Sequence, residues 1–208
     1  MNYNNTEKDR ILIGNLLTIK DSLSKDLDKN INNQTSTLEI IVSELYKLKK
    51  DESPIFYEIF NLAALINMSS IDYIITLKNL YFAENDWDRR YYIRQGYLIV
   101  FEFFKTYYSN NKSFSILRNL INESSLLNIE KEISIDLRFF KKANEDILEK
   151  IRNSTIAHRE KNALFQIDLI EKLNYSDSIT ILLTFYEIIL KLGNYNQLLI
   201  NYSLNNKI

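Results

Sequence analysis

Residues 55–82 decide the fold, and their sequence is IFYEIFNLAALINMSSIDYIITLKNLYF. When this stretch is drawn as a helix, apolar side chains cover more than one face, which is typical of the central helix of a bundle. Ser53 and Pro54 precede it, and a serine cap followed by proline is a common helix start. Residues 68–70 (Met-Ser-Ser) are a possible interruption, where the serine hydroxyls are expected to bond back to the preceding turn.

The composition supports an all-α fold. Hydrophobic residues make up 46% of the 208-residue chain and aromatic residues 12%, which is enough for a substantial core and argues against disorder. Only three glycines and one proline occur, too few for a protein of many hairpins. The length fits one domain, or one domain with an extension.

Charge and cysteine content exclude several functions. The formal net charge of −1 argues against a broad nucleic-acid-coating surface but allows a local basic cluster. Because the chain has no cysteine, disulfides, thiolate zinc sites and cysteine nucleophiles are excluded. The N-terminus is polar, and no apolar run is expected to approach the length of a membrane span. We therefore expect a cytoplasmic protein without membrane contact.

Helical periodicity predicts an N-terminal helical extension over residues 1–50 and a helical bundle over residues 51–208. A polar break is expected at residues 30–35, which makes the extension a hairpin of two helices. Ser134 is expected to cap a long helix, and Gly193 to end the last bundle helix. The predicted helices include residues 7–29, which Thr6 can cap, and residues 38–48, 55–82, 86–108, 135–160, 165–173, 176–192 and 195–204.

Residues 151–160 (IRNSTIAHRE) contain the only histidine, His158, between Arg152 and Arg159. On an ideal helix, Arg152 and His158 are separated by about 240° of rotation and about 9 Å of rise. They can meet at one small group only if the helix bends or if a second copy of the chain supplies the partner. Residues 153–156 contain two β-branched residues and a serine, so a kink or helix break is predicted there.

The sequence of residues 152–159 (RNSTIAHR) resembles the Arg-x(4 to 6)-His signature of the HEPN superfamily (higher eukaryotes and prokaryotes nucleotide-binding). Arg152 and His158 match the two named positions of the signature. Asn153 matches the polar residue that commonly follows the arginine. The resemblance implies a small helical bundle that dimerises through this region. It also implies a metal-independent ribonuclease of the kind used in toxin and anti-phage systems. It covers about ten residues, and the first fifty residues are unmatched.

Histidine and arginine suit RNA cleavage by attack of the 2′-hydroxyl on the adjacent phosphorus. An imidazole has an ordinary pKa of about 6.5 and can move the protons, while a guanidinium stabilises charge on the phosphate. His158 and Arg152 are therefore candidate catalytic residues, and Asn153 is expected to orient the histidine or hold a phosphate oxygen. The scheme needs no cofactor, and a single histidine makes a poor metal site, so none is predicted.

Three further arginines are candidate substrate-binding residues. Arg159 adjoins His158, whereas Arg94 and Arg90 belong to the helix over residues 86–108, where they place fixed charge among aromatic side chains. Either of these two arginines can lend charge to the cleft that contains Arg152. The alternative is that Arg94 and Glu102 find ordinary partners at the edge of the bundle.

Three interpretations of function stay open. The first is an endoribonuclease of a toxin or abortive-infection system, which acts on RNA as a homodimer with a composite site. The second is a non-catalytic helical module that binds an antitoxin or another defence-system protein; His158 is then a partly buried histidine, and Arg152 and Arg159 pair with nearby glutamates. The third, chemistry on a small nucleotide, lacks any phosphate-loop motif.

Overall fold

The computed structural model describes residues 6–48, 54–110, 115, 119, 123–156 and 162–206. None of these residues lies in a β-strand, and the predicted all-α fold class is confirmed. The elements with described bounds are α1 (Glu7–Thr18), α2 (Lys20–Lys47), α3 (Pro54–Phe82), α4 (Asp86–Ser109), α5 (Ser124–Ile151), a π-helix (Arg152–Ile156), α6 (Ala163–Glu171) and α7 (Tyr175–Asn206).

Helix α3 lies at the centre of the bundle, where it packs against α2, α4 and α7. Most of its apolar side chains are buried, as the sequence predicts for a central helix. The two serines do not interrupt it. The hydroxyl of Ser69 donates to the carbonyl oxygen of Leu65 at 3.0 Å, and that of Ser70 to Ile66 at 2.8 Å. The expected bonds to the preceding turn are therefore present within a continuous helix.

Among the described residues, Phe56–Phe82 is the one stretch of helix that is long and apolar enough to cross a membrane by length and composition alone. The expectation that no apolar run approaches such a length is therefore wrong. More than half of its most apolar window is buried inside the bundle, and a core helix of a soluble protein has this same composition. The structure is compatible with a soluble protein, while the cytoplasmic location stays a prediction.

The predicted break at residues 30–35 is wrong, because α2 runs through it without interruption. Its polar side chains bond to neighbouring helices. Gln34 is buried, and its Oε1 accepts a hydrogen bond from Nδ2 of Asn67 at 2.7 Å. Nδ2 of Asn30 donates to the hydroxyl of Tyr186 at 2.6 Å. A polar run resembles a loop in sequence, but here Gln34 bonds to the buried Asn67 on α3 and Asn30 to the half-buried Tyr186 on α7.

The first predicted helix is divided at Ile19, where α1 ends and α2 is about to begin. Thr6 caps α1 as predicted, and its side chain belongs to a capping box. Leu27 on α2 is almost completely buried and shares one apolar core with residues of α3, α4 and α7. The N-terminal helices thus pack directly on the bundle. The domain boundary near residue 50 stays a prediction.

Helix α5 begins at Ser124, well before the predicted start. Ser134, the expected cap, instead lies inside the helix. Its hydroxyl bonds to Oε1 of Glu130 at 3.0 Å and lies 3.2 Å from the hydroxyl of Tyr107 on α4. Ile133 is buried one residue earlier. The polar residues before Ser134 are thus one face of an amphipathic helix, not a connection between helices.

Gly193 lies within α7 and does not end it, so the predicted C-cap is wrong. A Cβ atom on Gly193 would lie 2.3 Å from Nε2 of Gln34, which means that the glycine makes room for a buried side chain of α2. The segment predicted as a separate helix over residues 195–204 is the end of α7. A glycine between two apolar helical stretches can allow close packing of a neighbouring helix as well as mark the end of its own helix.

Candidate functional site

The candidate site lies where α5 changes from α-helical to π-helical geometry. Helix α5 ends at Ile151, and Arg152–Ile156 form a π-helical turn that contacts α4, α5 and α6. The helix break predicted at residues 153–156 is therefore wrong, because the chain stays helical to Ile156 in π-helical geometry, while the kink predicted there stays a prediction. Ile151 is almost completely buried and anchors the turn in the core. Single π-helical turns are rare and occur frequently at functional sites.

Arg152, the first residue of this turn, contacts α4 through its guanidinium. Its Nε lies 3.2 Å from Oε1 of Glu102, and the guanidinium carbon lies 5.0 Å from the centre of the Phe101 ring. Oε2 of the same glutamate is 3.9 Å from Nζ of Lys105. Glu102 thus lies between two cations and holds Arg152 against an aromatic surface. The contact between Arg152 and Glu102 spans fifty residues and was not predicted.

Asn153 is exposed and accepts a hydrogen bond from Arg152, with 2.9 Å between Nη1 and Oδ1. Two of the predicted catalytic side chains are therefore in direct contact. The amide of Asn153 helps to fix the orientation of the guanidinium that Glu102 holds from the other side. This arrangement presents a planar, charged donor group beside an exposed amide, a combination that suits phosphate oxygens.

His158 and Arg159 lie outside the described residues, and their predicted roles stay predictions. The described chain resumes at Asn162, which caps α6: its Oδ1 accepts hydrogen bonds from the backbone amides of Leu164 and Phe165 at 3.0 and 3.2 Å. The segment that carries the histidine therefore follows the π-helical turn, which ends at Ile156, and precedes the capped start of α6.

Arg90 lies near the start of α4 and bonds to the C-terminal end of α6. Its Nη1 donates to the carbonyl oxygens of Ile170, Glu171 and Leu173, the latter two at 2.9 and 3.0 Å. A cation at the C-terminal end of a helix satisfies carbonyls that have no partner within the helix. Arg90 thereby ties α6, which follows the motif, to α4, which holds Arg152.

Arg94 is buried, and its Nε donates to the carbonyl oxygen of Arg90 at 3.2 Å. Its guanidinium carbon lies 5.9 Å from the ring centres of both Trp87 and Tyr91. The predicted placement of fixed charge among aromatic side chains is therefore present. Phe101 follows Arg94 by seven residues, about 10 Å along the helix. A role of Arg94 or Arg90 toward substrate stays a prediction.

A groove of about 470 Å³ runs between α4 and α5 and reaches Arg152. The α4 wall consists of Phe101, Phe104, Lys105 and Tyr108. The other wall consists of Lys141, Glu145 and Leu148 of α5 and Arg152 of the π-helical turn. The lining therefore combines three aromatic rings with three cations and one carboxylate.

The two walls run in opposite directions, which places a cation over a ring at each end. At one end Nζ of Lys141 lies 4.8 Å from the centre of the Tyr108 ring, and at the other Arg152 covers Phe101. The aromatic side chains of α4 were apparent in the sequence, but their contacts with Lys141 and Arg152 were not predicted. A faint signal existed, because Lys141 and Arg152 are eleven residues apart, about three helical turns, and so share one face.

The metal and dimer predictions stay untested. Within the described ranges, no group of three His, Asp or Glu side chains is placed to bind a metal ion. His158 is outside those ranges. The structure contains one chain, and the composite site between two copies remains a prediction.

No protein-family model matches the chain, and neither a curated protein nor a solved structure matches it significantly.

Proposed function

We propose that this chain is a metal-independent endoribonuclease of the HEPN type, which acts as a homodimer in a toxin or anti-phage (abortive infection) system. The observation that carries the proposal is the position of Arg152. Its guanidinium lies on a π-helical turn at one end of a groove that combines aromatic rings with cations. Such a surface suits an unpaired RNA strand, whose bases stack on rings and whose phosphates attract cations.

In the proposed mechanism Arg152 stabilises the charge that develops on the scissile phosphate. Glu102 and Asn153 contact two different nitrogens of its guanidinium and so orient it before substrate binds. Preorganised charge of this kind stabilises a transition state without reorganisation during the reaction. His158 accepts the proton of the attacking 2′-hydroxyl, and a second His158 from the partner chain donates a proton to the leaving 5′-oxygen.

The surface beside the motif supports two-fold pairing. Leu164 and Phe165, shortly after His158, are 78% and 43% exposed. Burial of such exposed apolar side chains against a second copy of the chain lowers the free energy and stabilises the dimer. Pairing through this region would bring two Arg152 and two His158 side chains to one cleft. Mixing wild-type with excess His158→Ala chains is therefore expected to lower the activity of the wild type, because a mixed dimer lacks one of the two imidazoles.

The decisive experiment measures cleavage of single-stranded RNA by the wild type, Arg152→Ala and His158→Ala, each with and without a chelator. Both variants are expected to lose at least about 100-fold in rate, and the chelator to have no effect. Arg138→Ala is the matched control, because Arg138 is an exposed arginine of α5 outside the groove. Unchanged cleavage by His158→Ala, or loss of cleavage with chelator alone, contradicts the mechanism.

A non-catalytic helical module that binds a partner protein in a defence or toxin–antitoxin complex is the second candidate. The observation that favours it is the ion pair between Arg152 and Glu102, which joins the π-helical turn to α4 and can stabilise the fold without any substrate. Expression in cells separates the two functions. Growth arrest that requires both Arg152 and His158 supports the nuclease, whereas arrest that persists in His158→Ala supports the module.

A further inference from the structure

We infer that the groove between α4 and α5 binds an unpaired nucleotide next to the scissile linkage, with its base on the Tyr108 side and its phosphate between Lys141 and Lys105. This inference rests on the proposed function, and it assigns substrate binding to residues outside the Arg/His motif. The strand is held by stacking on aromatic rings and by attraction to cations, not by base-specific hydrogen bonds.

The aromatic wall provides the stacking surface. The rings of Phe104 and Tyr108 are nearly parallel, with an interplanar angle of 16° and 6.0 Å between their centres. Phe104 is buried, whereas Tyr108 is half-buried and lines the groove. The buried ring therefore supports the outer ring in a fixed orientation. Nζ of Lys141 lies 4.8 Å from the centre of the Tyr108 ring, so a base stacks on Tyr108 when this ammonium group moves to the phosphate. The base then gains binding energy whatever its identity, because every base has a π-face.

The cations of the groove are accessible to a phosphate. The side chains of Lys105 and Lys141 are 69% and 37% exposed. Each lies near a carboxylate, with Lys141 3.2 Å from Glu145 and Lys105 3.9 Å from Glu102. Exposed pairs of this kind contribute little to stability, and a phosphate can therefore replace the carboxylate at small cost. Three cations against the two carboxylates of Glu145 and Glu102 leave the groove with a net positive charge, which is complementary to an anionic strand.

The dimensions suit a short piece of strand. Lys141 on α5 and Arg152 at the start of the π-helical turn are eleven residues apart, which is about 16 Å along the helix axis. A volume of about 470 Å³ falls within the range of roughly 300 to 1,000 Å³ that small organic ligands occupy. Since Arg152 lies at one end and Lys141 at the other, a strand along the groove would present its linkage to Arg152 while a neighbouring nucleotide stacks on Tyr108.

The experiment measures binding separately from cleavage. Fluorescence anisotropy of labelled oligouridine is recorded in a His158→Ala background, which prevents turnover under the proposed function. Tyr108→Ala is expected to weaken binding roughly 5- to 100-fold, whereas Tyr108→Phe keeps the ring and stays within about twofold. Tyr46→Ala is the matched control, because Tyr46 is 87% exposed on α2. Thermal unfolding of each variant verifies that the bundle remains folded.

Salt dependence and strand chemistry complete the test. Lys141→Gln is expected to reduce the slope of log affinity against log salt by about 0.7, the value for one lost phosphate contact on a single strand. Lys191→Gln, outside the groove, should leave the slope unchanged. Oligothymidine is expected to bind about as well as oligouridine but to remain uncleaved by the wild type, since it lacks the 2′-hydroxyl. Duplex RNA should bind more weakly, because its bases are not available for stacking.

The outcomes separate the two proposals. If Tyr108→Ala and Lys141→Gln bind like the parent while wild-type cleavage depends on His158, the groove assignment is overturned and the nuclease stands. If both variants weaken binding but no RNA is cleaved, the groove assignment stands and the nuclease fails. Absence of single-stranded binding in the parent overturns the groove assignment outright, and a groove that instead binds an acidic protein partner has the same consequence.

Discussion

Arg152 and Glu102 form an ion pair between the π-helical turn and α4, with 3.2 Å between Nε and Oε1. The glutamate therefore has two opposite effects on the proposed reaction. It holds the guanidinium in one orientation, which favours catalysis, and it adds a negative charge beside the groove, which disfavours binding of a phosphate.

Glu102→Gln is expected to separate these effects. The amide keeps an acceptor for Arg152 but removes the charge, so we expect single-turnover cleavage to slow by about tenfold, equivalent to about 1.4 kcal/mol, while oligonucleotide binding tightens. The two quantities are measured by quenched-flow cleavage and by anisotropy. Glu39→Gln, at an exposed acid of α2, should change neither. Faster cleavage by Glu102→Gln would show that the glutamate restrains the site and does not position Arg152.

Gly193→Ala is expected to destabilise the protein by about 1–2 kcal/mol. The new Cβ would lie 2.3 Å from Nε2 of Gln34, so this side chain has to move. The movement breaks its hydrogen bond to Asn67 inside the bundle. The free energy lost with that buried bond exceeds the roughly 1 kcal/mol gained in helix propensity. Gly14→Ala is the control: its Cβ meets nothing within 4 Å, so the propensity gain remains. Urea unfolding of both variants tests the contrast, and equal effects would refute the packing role of Gly193.

Asp9→Ala is expected to cost about 2–3 kcal/mol of unfolding free energy, because one buried carboxylate serves two helix starts. Its Oδ2 accepts from the backbone amide of Thr6 at 3.0 Å, and its Oδ1 accepts from that of Ser176 at 2.9 Å. Asn85→Ala removes an exposed cap of α4 alone and should cost about 1 kcal/mol. Chemical denaturation would contradict this assignment if the two variants lost the same stability.

Alkaline pH is expected to destabilise the fold through buried tyrosines. Burial raises the pKa of Tyr175 to about 12, against the opposing effect of the Arg89 cation. The phenol of the unfolded chain ionises near pH 10. The contribution of Tyr175 to the free energy of unfolding is therefore fully present below that pH, and it falls by about 1.4 kcal/mol per pH unit between pH 10 and 12. Burial raises the pKa in the same direction for Tyr73, Tyr81, Tyr97 and Tyr186.

Tyr175→Phe should therefore flatten the loss of stability between pH 10 and 12, whereas Tyr46→Phe, at an exposed position, should leave it unchanged. Thermal unfolding followed by circular dichroism across this pH range measures both. A variant with the same pH slope as the wild type would show that Tyr175 ionises equally in the folded and unfolded chain.

Much of the fold follows from local patterns in the sequence. The central helix and the cap at Thr6 were both predictable, because each depends on residues within a turn or two of one another. The errors occurred where polar residues and glycine have distant partners. Gln34 looks like part of a loop, and Gly193 like a helix end, until the two helices are placed in contact.

For the candidate site, the sequence determined that Arg152 and Asn153 adjoin each other on a helix with β-branched residues close behind, since spacing and β-branching are properties of the chain itself. Only the tertiary structure decided that Glu102 holds Arg152 and that Lys141 lies over Tyr108. Those partners are on different helices, and which faces meet depends on how α4 and α5 dock around α3 and α7. The helices dock so that the exposed apolar surface of the whole bundle is minimal. This area depends on all the helices together, so it cannot be predicted from any single stretch of sequence.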